Sequence, residues 1–186
     1  ALSFLNFACV SQMNVPIGKI VYTQMLNPLG GTEADITITR IEEEKFFYVT
    51  SPTSHNKDFY WLENLSKKYK NVSIIDVTQM FGCLSVMGPN ARQLIQSVVN
   101  DDISNEQIPF GYSKKVRLKN IECRLNRLTY VGEQGFEIYV PKERLVDLFH
   151  CLYGKESQFE PRLSGYHALN SLRMEKGYLH WGHDVT

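Results

Sequence analysis

Two alternating segments wrapped around a tight turn constrain this chain more than any other feature. Residues 19–25 read as a strand, Asn27-Pro28-Leu29-Gly30-Gly31 as the turn, and residues 35–41 as a second strand. In the second segment Ile36, Ile38 and Arg40 fall on one face, and Thr37 and Thr39 on the other. A period of two fits a half-buried strand, whereas a helix repeats every ~3.6 residues. Two such runs joined by a Pro- and Gly-containing turn predict an antiparallel hairpin. Residues 45–50, Lys-Phe-Phe-Tyr-Val-Thr, add a third strand.

The remaining elements mix both periods. Helices are expected over residues 2–13, 54–70, 88–99, 142–152 and 165–176, and further strands over 72–77, 83–87, 114–118, 121–131 and 136–140. In the 54–70 segment Phe59, Leu62 and Leu65 recur at three-residue steps, and the end is basic, as helix ends prefer. Pro141 is placed just inside the 142–152 helix, where a missing N–H does no harm. The short turns between strands argue for an α+β fold with mainly antiparallel sheet and packed helices.

The chain has 186 residues, 43% hydrophobic and 22% charged, enough to bury a core without disulfides or metal. Lys+Arg and Asp+Glu are both 20, so nothing points to a nucleic-acid partner or a polybasic membrane contact. No apolar run approaches the roughly 20 residues of a membrane-spanning helix. Cys9, Cys83, Cys123 and Cys151 form no C-x-x-C pair and are read as four reduced core thiols, which favours a reducing compartment. A chain that starts at Ala1 directly in an apolar pattern is read as a segment of a longer protein.

Three places are candidates for chemistry. His180 and His183 stand three apart and could share a helix face as ligands, but no third ligand is near, so no metal site is assigned. Asp35 puts a carboxylate just past the tight turn, where a rigid hairpin can aim it at a cavity as a general base; the alternative is a surface Asp that caps the strand. In Tyr130-Val131-Gly132-Glu133-Gln134-Gly135-Phe136-Glu137 the glycines permit a sharp turn, and alternation after it sends Phe136 and Glu137 to opposite faces. A carboxylate at Glu137 can accept two parallel hydrogen bonds from an aminopyrimidine-type edge; the alternative is a salt bridge to Arg124 or Arg127.

These two segments, with residues 165–177 and Trp181-Gly182, resemble the aminomethyltransferase family, which includes the glycine-cleavage T-protein and the folate domains of sarcosine and dimethylglycine dehydrogenases. The likeness runs in order through nearly the whole chain. Gly30-Gly31-Thr32-Glu33, Ile103-Ser104-Asn105-Glu106, Tyr130-Val131-Gly132-Glu133, and Glu175-Lys176-Gly177-Tyr178 with His180-Trp181 look most like the sarcosine dehydrogenase branch.

The resemblance implies that residues 1–186 form an aminomethyltransferase-type folate-binding domain of a longer flavoprotein, without the family's C-terminal barrel. It implies tetrahydrofolate as acceptor of a one-carbon unit derived from an N-methyl amine, and 5,10-methylenetetrahydrofolate as product. FAD would belong to a flavin domain of the same polypeptide and not to this chain, and the implied location is the mitochondrial matrix. Asp35 matches the family's catalytic aspartate, Glu137 the glutamate that grips the pteridine, and Tyr130 the tyrosine lining the same pocket; Glu133 is given a structural role only. The T-protein's folate-contacting arginine, four positions before Arg173, is replaced here by Leu169, which argues against a true T-protein. Arg173 itself is expected to be structural. The alternative within the same architecture is the non-enzymatic regulatory subunit of pyruvate dehydrogenase phosphatase, a branch in which the pteridine glutamate looks replaced by an apolar residue.

Overall fold

Antiparallel pairing organises both halves of the chain. The computed structural model describes residues 1–154 and 158–185 and divides into two units, Ala1–Asp76 with Trp181–Thr186, and Val77–His180. The first holds α1 (Leu2–Ala8), β1 (Ile20–Leu26), β2 (Thr32–Glu42), β3 (Lys45–Val49) and α2 (His55–Ser66). Its sheet has the order β1-β2-β3, with both pairs antiparallel. Ala34, Ile36 and Ile38 turn inward with Met25, against Phe4, Leu5 and Leu62 of the two helices.

β2 starts three residues before the expected position, because the turn closes at Gly31. One amide holds it: Asn27 Oδ1 accepts from the Leu29 and Gly31 N–H groups at 2.9 and 3.0 Å, and Asn27 Nδ2 donates to Glu33 Oε1 at 3.0 Å. Gly30 sits at φ 84°, a conformation that costs little only without a Cβ. α1 is shorter than expected and ends at Ala8. Beyond it the backbone extends beside β1, where Val10 N donates to the Gln24 carbonyl at 3.0 Å and Ser11 N to Thr23 Oγ1 at 3.1 Å. Residues 72–77 form no strand; Val72 and Ile74 pack on the first unit's core while Ile75 is exposed. The alternation there is genuine, but no ladder takes it up.

The second unit holds β4 (Phe81–Met87), α3 (Ala91–Gln96), β5 (Ser113–Leu118), β6 (Ile121–Asn126), β7 (Gly135–Pro141), α4 (Leu145–Leu152) and α5 (Tyr166–Glu175). Its sheet runs β4-β7-β6-β5, antiparallel throughout. The core face carries Leu125, Phe136, Ile138 and Val140 against Leu94, Ile95 and Leu148 of the helices. β6 stops at Asn126 rather than running on to 131, because the backbone turns away: Arg127 N donates to the Tyr112 carbonyl and Leu128 N to the Asn126 carbonyl. Pro141 ends β7 instead of entering a helix, and a 3-10 turn over Lys142–Arg144 separates it from α4.

Gly135 opens β7 where the chain has no room for a side chain. A Cβ there would run into the Leu128 carbonyl oxygen, a backbone atom that cannot rotate aside. Gly135→Ala is therefore expected to destabilise the fold by about 1–3 kcal/mol, the usual cost of overpacking, measured as a lower urea midpoint with an unchanged slope.

Candidate functional site

Asp35 lies on β2 in the first unit; Tyr130 and Glu137 lie in the second. Asp35 is half-buried and faces away from the core, since its neighbours Ala34 and Ile36 point inward. Its cross-strand partner is Gln24, whose Nε2 donates to Asp35 Oδ1 at 2.8 Å. One carboxylate oxygen is thus fixed by an amide donor and the other is left for further partners.

The strand start before Asp35 is tied down by α2. Lys57 Nζ donates to the Glu33 carbonyl oxygen, lies 3.2 Å from Asp58 Oδ1 and stands 4.7 Å from the Trp181 ring centroid. Asp58 is fully buried and also accepts a hydrogen bond from Thr50 Oγ1. A buried carboxylate needs such partners, because an unpaired one costs several kcal/mol, on the order of 3–5 when one partner is removed. Lys57 Nζ therefore links the Gly-Gly hairpin to α2 through one cation.

Glu137 sits at the middle of the outer face of the second sheet. Register places Ser113, Asn126, Glu137 and Ser85 in one row across β5, β6, β7 and β4. The next row reads Lys115, Arg124, Tyr139 and Cys83. Glu137 Oε2 accepts from the Tyr139 hydroxyl at 2.7 Å. Burial raises the Glu137 carboxyl above its ordinary 4.5, and the Tyr139 hydrogen bond only partly offsets this. The Tyr139 hydroxyl is itself pushed up, first by burial and then by the Glu137 charge. The two arginines that sequence offered as salt-bridge partners are engaged elsewhere: Arg124 Nη1 donates to Ser113 Oγ at 3.0 Å and Arg127 Nη1 to the Ile108 carbonyl at 2.9 Å.

Tyr130 is half-buried in the turn before β7. Its hydroxyl donates to the Leu179 carbonyl at 3.2 Å, and its ring stacks on Tyr178 with centroids 6.2 Å apart and planes 13° from parallel. Glu133 pairs with Lys176 Nζ at 3.8 Å on the surface, in line with a structural role. Arg173 is buried, donating to Asn170 Oδ1 from Nε and Nη2 and to the Tyr178 carbonyl from Nη1, so it closes the end of α5 as expected. His183 pairs with Asp184 at 3.2 Å, and no metal-holding group of His, Cys, Asp and Glu occurs among the described residues.

The thiol expectation needs correction. All four cysteines are free, but Cys9 and Cys123 are buried, Cys151 is half-buried and Cys83 is exposed. Cys83 occupies the outer face of β4, because alternation sends Leu84 and Val86 to the core. Exposed as a residue, its sulfur is still crowded, and this, with the Glu137 charge, pushes the thiol up to about 12.

Sequence reasoning missed Asn126. It is fully buried directly opposite Glu137, and neither its Oδ1 nor its Nδ2 has a hydrogen-bond partner among the described residues. The available signal was an amide closing an otherwise ordinary alternating strand, Ile-Glu-Cys-Arg-Leu-Asn.

Comparison with known proteins identifies the family. Residues 1–186 match the family model described as the GCVT N-terminal domain, and the chain belongs to that family. It is 32% identical over 185 residues to 4-methylaminobutanoate oxidase (formaldehyde-forming) of Paenarthrobacter nicotinovorans, covering 100% of this chain and 22% of that protein. It is 32% identical over 184 residues to mitochondrial sarcosine dehydrogenase of Homo sapiens, covering 91% and 20%. The mitochondrial pyruvate dehydrogenase phosphatase regulatory subunit of Mus musculus is 30% identical over 187 residues, covering 100% and 21%. The chain therefore spans about a fifth of the length of these relatives. The glycine cleavage system aminomethyltransferase T of Bartonella henselae has the same fold, with a TM-score of 0.85, 25% identity, and coverage of 100% of this chain and 48% of that one.

The raised Glu137 carboxyl has a consequence for stability. The folded state holds the Glu137 proton at a higher pH than the unfolded state does, so folding loses free energy as pH rises from about the ordinary value of 4.5 through the folded value. Below that window the penalty is absent; above it, full. Glu137→Gln keeps an acceptor for Tyr139 and removes the charge. The variant is expected to melt at higher temperature than the parent at neutral pH, with the gap closing as pH falls below about 4.5, read by thermal denaturation across pH.

Proposed function

We propose that this chain is a tetrahydrofolate-binding, one-carbon-transfer domain of a sarcosine or dimethylglycine dehydrogenase-like enzyme, which captures an N-methyl carbon as 5,10-methylenetetrahydrofolate. The observation that carries this reading is the outer face around Glu137: a half-buried carboxylate with one oxygen bonded to Tyr139, beside the buried amide of Asn126, which has no hydrogen-bond partner among the described residues. Such groups are costly in an apoprotein, and they suit a polar heterocycle that supplies the hydrogen bonds they lack. Membership of the family favours the pterin of a folate as that heterocycle.

When bound, tetrahydrofolate supplies secondary amines that take up a one-carbon unit as a methylene bridge. On this reading the residues of the chain do the positioning. Glu137 accepts hydrogen bonds from the amino-pyrimidine edge, and Tyr130, braced by Tyr178 and Leu179, gives the ring an aromatic wall. Asp35, with one oxygen fixed by Gln24, would be the group that takes a proton from a folate amine. FAD has no site assigned in this chain; oxidation of the N-methyl amine belongs to a flavin domain elsewhere in the polypeptide. Relatives named as mitochondrial support a mitochondrial matrix location.

The second reading is a non-enzymatic subunit like the regulatory protein of pyruvate dehydrogenase phosphatase, favoured by its 30% identity. The presence of Glu137 tips the choice to the enzyme.

Calorimetric titration of the whole protein with tetrahydrofolate tests the pocket. Saturable binding that weakens at least about tenfold in Glu137→Ala is expected, which corresponds to about 1.4 kcal/mol or more. Failure of the parent to bind would reverse the choice between the two readings. Asp35→Ala should retain tetrahydrofolate binding yet form methylenetetrahydrofolate about 100-fold or more slowly, as loss of a general base predicts. A normal rate in that variant would remove Asp35 from the chemistry.

A further inference from the structure

Among the described residues of the second unit, Asn126 is the one whose buried side-chain polar atoms have no hydrogen-bond partner. It is 0% exposed, and both its side-chain donor and its acceptor lack partners among the described residues. Native proteins rarely leave a buried amide in this condition, since each orphaned group costs about 1–3 kcal/mol. Its position is fixed by ladder register: Asn126 pairs with Glu137 on one side and Ser113 on the other. Directly opposed residues point to the same face, with Cβ atoms about 4.5–5.5 Å apart. The core-facing neighbours Leu125 and Ile138 confirm which face this is.

The chemistry of the pair is specific. An ionised carboxylate only accepts hydrogen bonds, and it offers about four lone-pair positions, of which Tyr139 takes one. A carboxamide supplies an N–H donor beside those acceptors. Together they present two acceptors and then a donor along one line. The complementary ligand edge reads donor, donor, acceptor: an exocyclic amino group, a ring N–H and a ring carbonyl. A 2-amino-4-oxopyrimidine has that sequence of groups.

We propose that Asn126 is a specificity-determining residue that donates its amide N–H to the ring carbonyl of a 2-amino-4-oxopyrimidine-type ligand held by Glu137. This rests on the folate-binding reading above and adds a contact to it: Glu137 holds the amino and N–H positions, and Asn126 reads the oxygen. The residue therefore separates a ligand with a ring carbonyl from one without it. A hydrogen-bonding site discriminates strongly against an analogue that leaves its buried polar group unpaired.

The test is calorimetric titration of the full chain and its Asn126→Leu variant with two probes, tetrahydrofolate and its 4-deoxy-3,4-dihydro analogue (the 4-deoxy analogue), in which a CH2 group replaces the ring carbonyl and the ring N–H is kept. Asn126→Leu should bind tetrahydrofolate about tenfold or more weakly, while its affinity for the 4-deoxy analogue changes less than about twofold. Because Leu keeps the branching of Asn at Cγ and removes the orphaned amide, the variant should melt no lower than the parent. Asn126→Ala serves as a second variant, with the same difference between probes expected should Leu disturb the packing. Equal losses for both probes, or no loss for either, would overturn the proposal and leave Asn126 as a packing residue. Failure of the unsubstituted chain to bind tetrahydrofolate is a separate result: it removes the folate reading, and this inference with it.

Discussion

The pairing of β7 between β4 and β6 is the constraint on which the second unit depends. Phe136, Ile138 and Val140 must enter the core, so their neighbours Glu137 and Tyr139 have no choice of face. A slip of one residue would bury the carboxylate in hydrocarbon and expose the aromatic and branched side chains. The hydrophobic drive that fixes the sheet therefore also fixes the polar row. Gly135 sets the start of that register, as the place where the strand passes too close to the Leu128 carbonyl to carry a side chain.

The outer face carries two groups that folding alone does not favour. Glu137 is kept where its charge is disfavoured, and Asn126 where its amide has nothing to bond. Neither arrangement favours folding by itself. A ligand that satisfies both groups recovers what the apoprotein gives up, and by linkage raises stability in proportion to its occupancy. The first unit resolves its buried charge differently: Asp58 is met by Thr50 and Lys57 within the fold, and the same lysine reaches Glu33. Lys57 thus braces the hairpin through an ion pair, although Asp58 Oδ1 has no hydrogen-bond partner among the described residues.

The hairpin, the third strand and the shared face of Ile36 and Ile38 were legible in the sequence because alternation reports facing directly. The opposite facing of Phe136 and Glu137 was legible for the same reason. Element ends were less so. α1 stops at Ala8 because the chain finds partners in Gln24 and Thr23, a tertiary choice that local periodicity does not encode. Residues 72–77 carry a strand pattern without a ladder to join. The candidate carboxylates stood out through motif context, but Asn126 did not, since its significance lies in which residue faces it across the sheet and in having no partner. Ladder register, which joins Asn126 to Glu137 across a turn, is information between strands rather than along them.

The Asn27 turn carries a chemical consequence of its own. Hairpin turns are often built on Asn-Gly, whose asparagine ages: the next backbone nitrogen attacks the side-chain carbonyl, closes a five-membered imide and releases ammonia. Here Pro28 follows Asn27, and its nitrogen bears no hydrogen to lose. The Asn27 carbonyl is also occupied by two N–H donors and its amide nitrogen by Glu33. The joint that sets the start of β2, and through it the place of Asp35, is thus closed to imide formation by the following backbone nitrogen.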